Sequence, residues 1–494
     1  MADSASSSSP VILWFRQDLR LNDNPALAAA AAAGRPVIAL YVLDTALPSW
    51  QMGGASRWWL HHALNALATE LKRRYGLKLI LRRGDAAAIL PALARETGAA
   101  AVFWNRCYEP AAVARDTILK TTLKAEGIAV ETFNASLLVE PWQVKTRTGG
   151  WFRVYSPFWR ACRALPDPAP PHRAPKKLQA FNKPVHGERL DDWQLLPTQP
   201  DWAGGLRATW QPGEAGAAAR LQAFIDDALQ GYADGRDRPD RNLTSRLSPH
   251  LHFGEIGPRQ VWQAVQMAAA ENSAAARNAE TFLSELGWRE FAHHLLFHFP
   301  ALPERNFRAG FDAFPWQDDP ALLARWQRGL TGYPIVDAGM RELWLTGWMH
   351  NRVRMIAASF LVKHLRQHWR HGEAWFWDTL VDADLANNAA SWQWVAGSGA
   401  DAAPYFRIFN PILQGEKFDP QGGYVRRWLP ELARLPDKYI HKPWLAPAAV
   451  LREAGLRLGQ DYPQPLVDHD AARKAALAAF AQLRNDDRQT AGAA

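Results

Sequence analysis

The chain has 494 residues, 48% of them apolar, which supplies two or three domains with a large buried core and excludes an intrinsically disordered protein. Its net charge of +8 favours an anionic partner, nucleic acid first. The two cysteines, Cys107 and Cys162, argue against a disulfide framework and are too few for an iron–sulfur cluster, which suits a reducing cytosol and a cytoplasmic protein.

The opening MADSASSSSP is polar and lacks the apolar centre of a secretion signal. No run of about 18 apolar residues occurs, so no membrane span is expected. Short apolar runs then recur: VILWF (11–15), PVIALYVL (36–43), LKLILR (77–82), AAVFWN (100–105) and IAVETF (128–133). Between them lie stretches of helical period such as RWWLHHALNALATELKRRYG (57–76). This alternation predicts an α/β domain over 11–135, a Rossmann-like parallel sheet covered by helices. No GxGxxG follows the first run, so a dinucleotide held there in the usual way is not indicated.

Residues 136–215 change character. PDPAPPHRAPKK and the Pro- and Gln-bearing stretch after it read as an interdomain linker. From 216 to 470 the period is helical and predicts a larger all-helical domain, followed by an Ala-rich helical tail, 471–494. No internal repeat is evident.

Several constellations in the helical part carry polar chemistry. Glu285, Trp288 and Arg289 are spaced i, i+3, i+4 and share one helical face, as do Asn351, Arg354 and Met355, with Arg352 beside them. Each group also reads as a solvated face or a surface ion pair. Asp382, Asp384 and Asn388 follow in DADLANN; paired carboxylates can bind a metal, but no full ligand set surrounds them, and no metal is expected. LTSRLSP (243–249) has the hydroxyl content of a helix cap, which can serve as an ordinary cap or receive a phosphate. Of the 24 tryptophans most lie beyond residue 200, and SWQWVAGSG (391–399) places two of them two positions apart among small residues. On a helix, Trp392 and Trp394 point to nearly opposite sides.

Taken together, WFRQDLRLNDNPAL (14–27), TSRLSPHLHFGEIGPRQ (244–260), ELGWREF (285–291), TGYPIVDAGMRELWLTGWMHNRVRM (331–355) and the segment 382–420 resemble the photolyase/cryptochrome family. The likeness is greatest to cyclobutane pyrimidine dimer photolyases. RWWLHHAL and CYEPAAVARD resemble the class III branch, the one nearest plant cryptochromes.

The resemblance implies FAD in the helical domain and UV-damaged DNA as partner of a monomeric enzyme. Tyr232 and Thr244, Ser245, Arg246, Leu247 and Ser248 would hold the FAD phosphates. Phe282, Glu285, Arg289, Asn351 and Ala383 would add cofactor contacts, Arg354 would pair with Asp382 beside the flavin ring, Asp384 would touch the ribityl or ring side, and Asn388 would face flavin N5. Glu285 would hydrogen-bond the dimer between Trp288 and Trp394. Asn351, Arg352 and Met355 would line the rim, with Arg236 and Gln414 near the DNA backbone. Trp392, Trp369 and Trp326 would form an electron path to the surface.

Plant cryptochromes carry Asp where this chain has Asn388, and relatives that repair (6-4) photoproducts carry a His-bearing motif where it has MHNRVRM; both features, and the lack of a long C-terminal extension, favour dimer repair over blue-light signalling. The resemblance also implies an antenna, methenyltetrahydrofolate. The Asn-Glu pair of enterobacterial relatives falls on Ala111 and Ala112, so another binding mode, a deazaflavin or no antenna stay open.

Overall fold

The computed structural model describes residues 9–46, 50–272 and 275–492. The polar opening 1–8 and the last two residues of the expected tail lie outside the described residues. By compactness the chain divides into two units, Met1–Gln230 with Ser245–Pro300, and Gly231–Thr244 with Ala301–Ala494.

The first unit is built on the predicted sheet. Its strands are β1 (Val11–Phe15), β2 (Pro36–Asp44), β3 (Leu79–Gly84), β4 (Ala101–Asn105) and β5 (Ala129–Phe133). They pair in parallel in the order β3-β2-β1-β4-β5, a doubly wound arrangement. The central strand β1 is apolar throughout, and its neighbours β2 and β4 are apolar except at their last residues, Asp44 and Asn105, as expected of strands with helices on both faces. These are α1 (Pro25–Ala32), α2 (Gly54–Tyr75), α3 (Ala86–Thr97) and α4 (Pro110–Ala125). One layer of core runs through Ile12, Trp14, Leu40, Val102 and Trp104, the two indoles meeting edge to face at 5.7 Å.

Residues 136–215 do more than connect. They hold a helix, Tyr155–Arg163, and a sixth strand, Gln179–Ala180, parallel to the start of β2. The change to helical period at 216 is a change of secondary structure, whereas compactness divides the chain elsewhere, for a polar reason. Asp18 accepts from Asn105 Nδ2 at 2.6 Å, and Arg20 donates to the carbonyls of Asp23, Ala135 and Gly254. Asp23 pairs with Arg259, and Glu214 accepts from the amides of Leu21 and Asn22. The segment RQDLRLNDN is therefore a buried clamp that ties the helices Glu214–Ala223 and Pro258–Glu271 to the sheet unit.

The second unit is helical. Its core gathers Trp326, Tyr333, Val353, Phe360, Trp369, Phe376 and Trp392. The tail helix, His469–Gly492, begins two residues earlier than read from sequence and packs Ala476, Ala479 and Leu483 on Phe311, Phe314 and Tyr405. No helix among the described residues is long and apolar enough to cross a membrane.

Candidate active site

In the first unit the predicted carboxylate–indole–guanidinium face lies on the helix Ala276–His298. Trp288 is 36% exposed, and its other face stacks on Tyr155, rings 3.8 Å apart and 9° from parallel. The Tyr155 hydroxyl bonds Ser284 at 2.7 Å, one turn before Trp288. Gly287 permits this contact, since a Cβ there would come within 2.7 Å of Trp159 and 2.8 Å of the Tyr155 hydroxyl. Glu285 is half-buried on the same face. Phe282 is buried against Phe224, with rings 4.5 Å apart. Arg289 donates to the Ser136 carbonyl at 2.6 Å, so its guanidinium is engaged in holding that loop.

The turn preceding Pro249 places Arg246 at φ 50, a left-handed conformation uncommon for a residue with a side chain and frequent at binding turns. Ser245, Arg246 and, at the end of the second unit's short segment, Thr244 are half-buried; Leu247 is buried and Ser248 exposed.

In the second unit, Arg354 on the helix Asn351–Ser359 donates to Asp382 Oδ2 at 2.8 Å and to the Met349 carbonyl at 2.7 Å. Asp382 is buried, and its Oδ1 has no partner among the described residues. Asp384 caps the helix Leu385–Ala396, its Oδ1 accepting from the Asn387 amide at 2.9 Å. Ala383 between them is buried. Asn388, one turn into that helix, is fixed by its Nδ2, which donates to the Glu373 carbonyl at 3.0 Å. Arg352 pairs with Asp237 at 2.7 Å and lies over Phe418; Met355 is half-buried beside it and Asn351 is exposed. Tyr232 is buried with Arg236 over its ring at 5.6 Å, and Gln414 is half-buried on the helix Pro411–Phe418. No group of three or more His, Cys, Asp or Glu among the described residues is placed to hold a metal.

The two tryptophans of SWQWVAGSG diverge, since two helical steps turn about 200°. Trp392 is 2% exposed and enters the core, whereas Trp394 is half-buried. The Trp392 ring lies flat on Gly372, where a Cβ would stand 2.0 Å from its Cη2. Trp369 opens the helix that carries Gly372, and its Nε1 donates to Asn306 at 2.9 Å.

The expected end of the path is corrected. Trp326 touches Trp392 edge to face at 6.2 Å, but it is 0% exposed and its Nε1 is bound to the Ala357 carbonyl. A ring sealed in the core cannot be the surface terminus. Trp316 is half-buried, and the His368 ring lies beside both it (5.1 Å) and Trp369 (5.6 Å).

Besides Trp316, three residues escaped the sequence reading. Tyr155 lies in the stretch read as linker. Glu290 is fully buried behind Trp288's helix face, accepting from the Leu138 and Val139 amides, and burial pushes its carboxyl up to about 7 against the pull of Arg289. Glu373 is 0% exposed with neither carboxyl oxygen partnered among the described residues, and burial raises its carboxyl well above the ordinary range. A charged residue at an otherwise apolar helix position was the available signal for the two glutamates.

Comparison with known proteins places this geometry. The family described as "DNA photolyase" matches residues 11–176, and that described as "FAD binding domain of DNA photolyase" matches 282–482. A deoxyribodipyrimidine photo-lyase of Agrobacterium fabrum is 54% identical over 97% of this chain and 98% of its own. Cryptochrome-1 of Arabidopsis thaliana is 43% identical over 96% of this chain and 70% of its own. A crystal structure of a bacterial class III photolyase from Agrobacterium tumefaciens matches with a TM-score of 0.94 at 54% identity, covering 98% of this chain and 99% of that one. A parallel-sheet domain followed by a helical FAD-binding domain defines a flavoprotein. The chain belongs to the photolyase/cryptochrome family.

Proposed function

We propose that the protein repairs cyclobutane pyrimidine dimers in DNA in a light-driven reaction. The observation that carries this reading is Arg354, a guanidinium paired with the buried carboxylate of Asp382, followed in the chain by Asn388, a neutral amide fixed by its nitrogen. The orphaned Asp382 Oδ1 fits a cofactor that supplies a hydrogen-bond donor, and Arg354 fits an electron-rich ring. Arg354, Asp382 and Asn388 would hold the ring of FAD, which when bound, reduced and photoexcited would lend one electron to the dimer and recover it once the cyclobutane ring has opened.

The chain's own residues supply binding, orientation and electrostatics. Tyr232 and Thr244 to Ser248 would receive phosphates, and Arg354, Asp382 and Asn388 would orient the ring. Trp288, held flat by Tyr155, would offer an aromatic wall to a flipped-out dimer, and half-buried Trp394 would be a second stacking residue. Such stacking is worth roughly 1–3 kcal/mol per base. Glu285 would hydrogen-bond the dimer and stabilise charge on it. Arg236, Arg352 and Gln414 would meet the DNA backbone. Trp392, Trp369 and Trp316 would carry electrons inward when the flavin has been oxidised.

An antenna pterin, methenyltetrahydrofolate, belongs to this reading. Ala111 is half-buried and Ala112 is buried on α4, and neither offers a polar group, so residues other than these would hold it.

The second reading, a blue-light receptor, draws on the likeness to Cryptochrome-1. Asn388 stands against it, because a neutral amide at this position cannot release a proton.

The test is a repair assay with FAD-loaded, reduced protein and a thymine-dimer oligonucleotide under blue light and in darkness. Recovery of thymine absorbance only in light is expected. A flavin-loaded protein that restores none would transfer the assignment to the receptor.

A further inference from the structure

The second unit carries an open cavity of about 740 Å³ that the reading above does not use. The helix Pro334–Thr346 contributes Met340, Trp344 and Leu345, and the helix Trp369–Thr379 contributes Trp375. Trp344 and Trp375 stack in parallel, with centroids 5.9 Å apart and planes 4° apart, yet Trp344 remains 58% and Leu345 51% exposed. Trp428 lines the same cavity, and its Nε1 is shut off from solvent with no acceptor among the described residues.

The charged lining is entirely positive. Arg341 is held by Glu431 at 2.7 Å. Arg328 and Arg427 are exposed, and neither side chain makes a hydrogen bond or ion pair among the described residues. Free guanidinium groups beside an aromatic face match a ring that carries an anionic group, because the planar fork binds phosphate with two parallel hydrogen bonds. The volume lies within the roughly 300–1,000 Å³ of ligand sites, and an apolar lining with a few convergent polar groups is their usual composition. Trp344 and Leu345 are the large apolar side chains of the lining that are exposed, a small patch beside the roughly 1,000 Å² that a stable protein interface needs.

We propose that this groove binds a planar aromatic ring bearing a phosphate, of mononucleotide type, with the ring against Trp344 and the phosphate at Arg328 and Arg427. The site is independent of the repair reading.

The test is equilibrium dialysis of FMN against the full-length, FAD-loaded protein, with FMN separated from FAD by chromatography. One FMN per chain is expected, with riboflavin, the same ring without phosphate, at least about tenfold weaker because the charge-assisted bonds are lost. Trp344→Ala and the double variant Arg328→Ala/Arg427→Ala should each weaken FMN binding at least about tenfold while the FAD content stays unchanged. Should Trp344→Ala lose FAD through misfolding, the double variant, whose side chains are exposed, decides. Absence of saturation at millimolar FMN, or equal affinity in the double variant, overturns the proposal. So does a concentration-dependent doubling of mass that Trp344→Ala abolishes, which would assign the groove to a second copy of the chain.

Discussion

Trp326 and Trp316 differ less in chemistry than in what surrounds them. The first is closed in by the core and the second meets water, so only the second can hand charge to solvent. Trp316→Phe should slow photoreduction of oxidised FAD several-fold and leave repair by pre-reduced protein intact. Trp326→Phe should cost about 1–2 kcal/mol of stability by removing core volume and leave photoreduction the faster of the two. Flavin absorbance under blue light ranks them, and the reverse order would restore Trp326 to the path. Tyr155 acts through Trp288. Tyr155→Phe removes the hydroxyl that bonds Ser284 and should cost about 1 kcal/mol. Tyr155→Leu frees one face of Trp288 and should weaken binding of dimer-containing DNA more than binding of undamaged DNA, read by fluorescence anisotropy. An equal loss on both would reduce Tyr155 to a packing residue.

At the scale of elements, the site depends on how closely the helices Trp369–Thr379 and Leu385–Ala396 approach. Gly372 sets that distance, because Trp392 occupies the place of its missing Cβ. A helix-interior Gly→Ala change ordinarily gains about 1 kcal/mol from propensity. Here the methyl group must displace a buried indole, and overpacking costs typically 1–3 kcal/mol. Gly372→Ala should therefore lower the Tm and also slow photoreduction, since the same shift moves Trp392. A raised Tm would show that the two helices can part without cost. The hydrogen bond from Asn388 to the Glu373 carbonyl spans the same helix pair, so a spread of the pair also tilts the amide.

For the whole molecule, two buried groups give folding an unusual pH dependence. Glu290 stays neutral in the folded protein up to about 7, whereas its ordinary value is 4.5. The folded state thus holds the extra proton between those values, and stability falls as pH rises through that window. Lys363 is buried, donating to the Arg407 carbonyl, and burial lowers it from 10.5 to about 7. The unfolded state holds that extra proton, so stability rises with pH from about 7 towards 10.5. Taken alone, the two contributions change direction near neutral pH; Glu373, raised well above 4.5 by burial, adds a fall that extends to higher pH. Glu290→Gln keeps an acceptor for the Leu138 and Val139 amides and should flatten the acid-side fall; Lys363→Met should flatten the alkaline-side rise. Tm measured across pH checks both, and unchanged slopes would show that neither group titrates as its burial requires.

The sequence by itself determined the elements and the chemistry. Five apolar runs with helical stretches between them specify a parallel sheet, because strands buried on both faces must be apolar and parallel strands need crossovers. Helical spacing alone put Glu285 with Trp288 and Arg289, and sent Trp392 and Trp394 to different environments. Only the tertiary structure decided what lies behind each face. Sequence spacing carries no distance between segments far apart in the chain, so Tyr155 under Trp288, Glu373 behind Asn388 and the burial of Trp326 were not legible. The same holds for RQDLRLNDN, whose charges fold as a clamp, because their partners at Glu214, Gly254 and Arg259 come from more than 190 residues away.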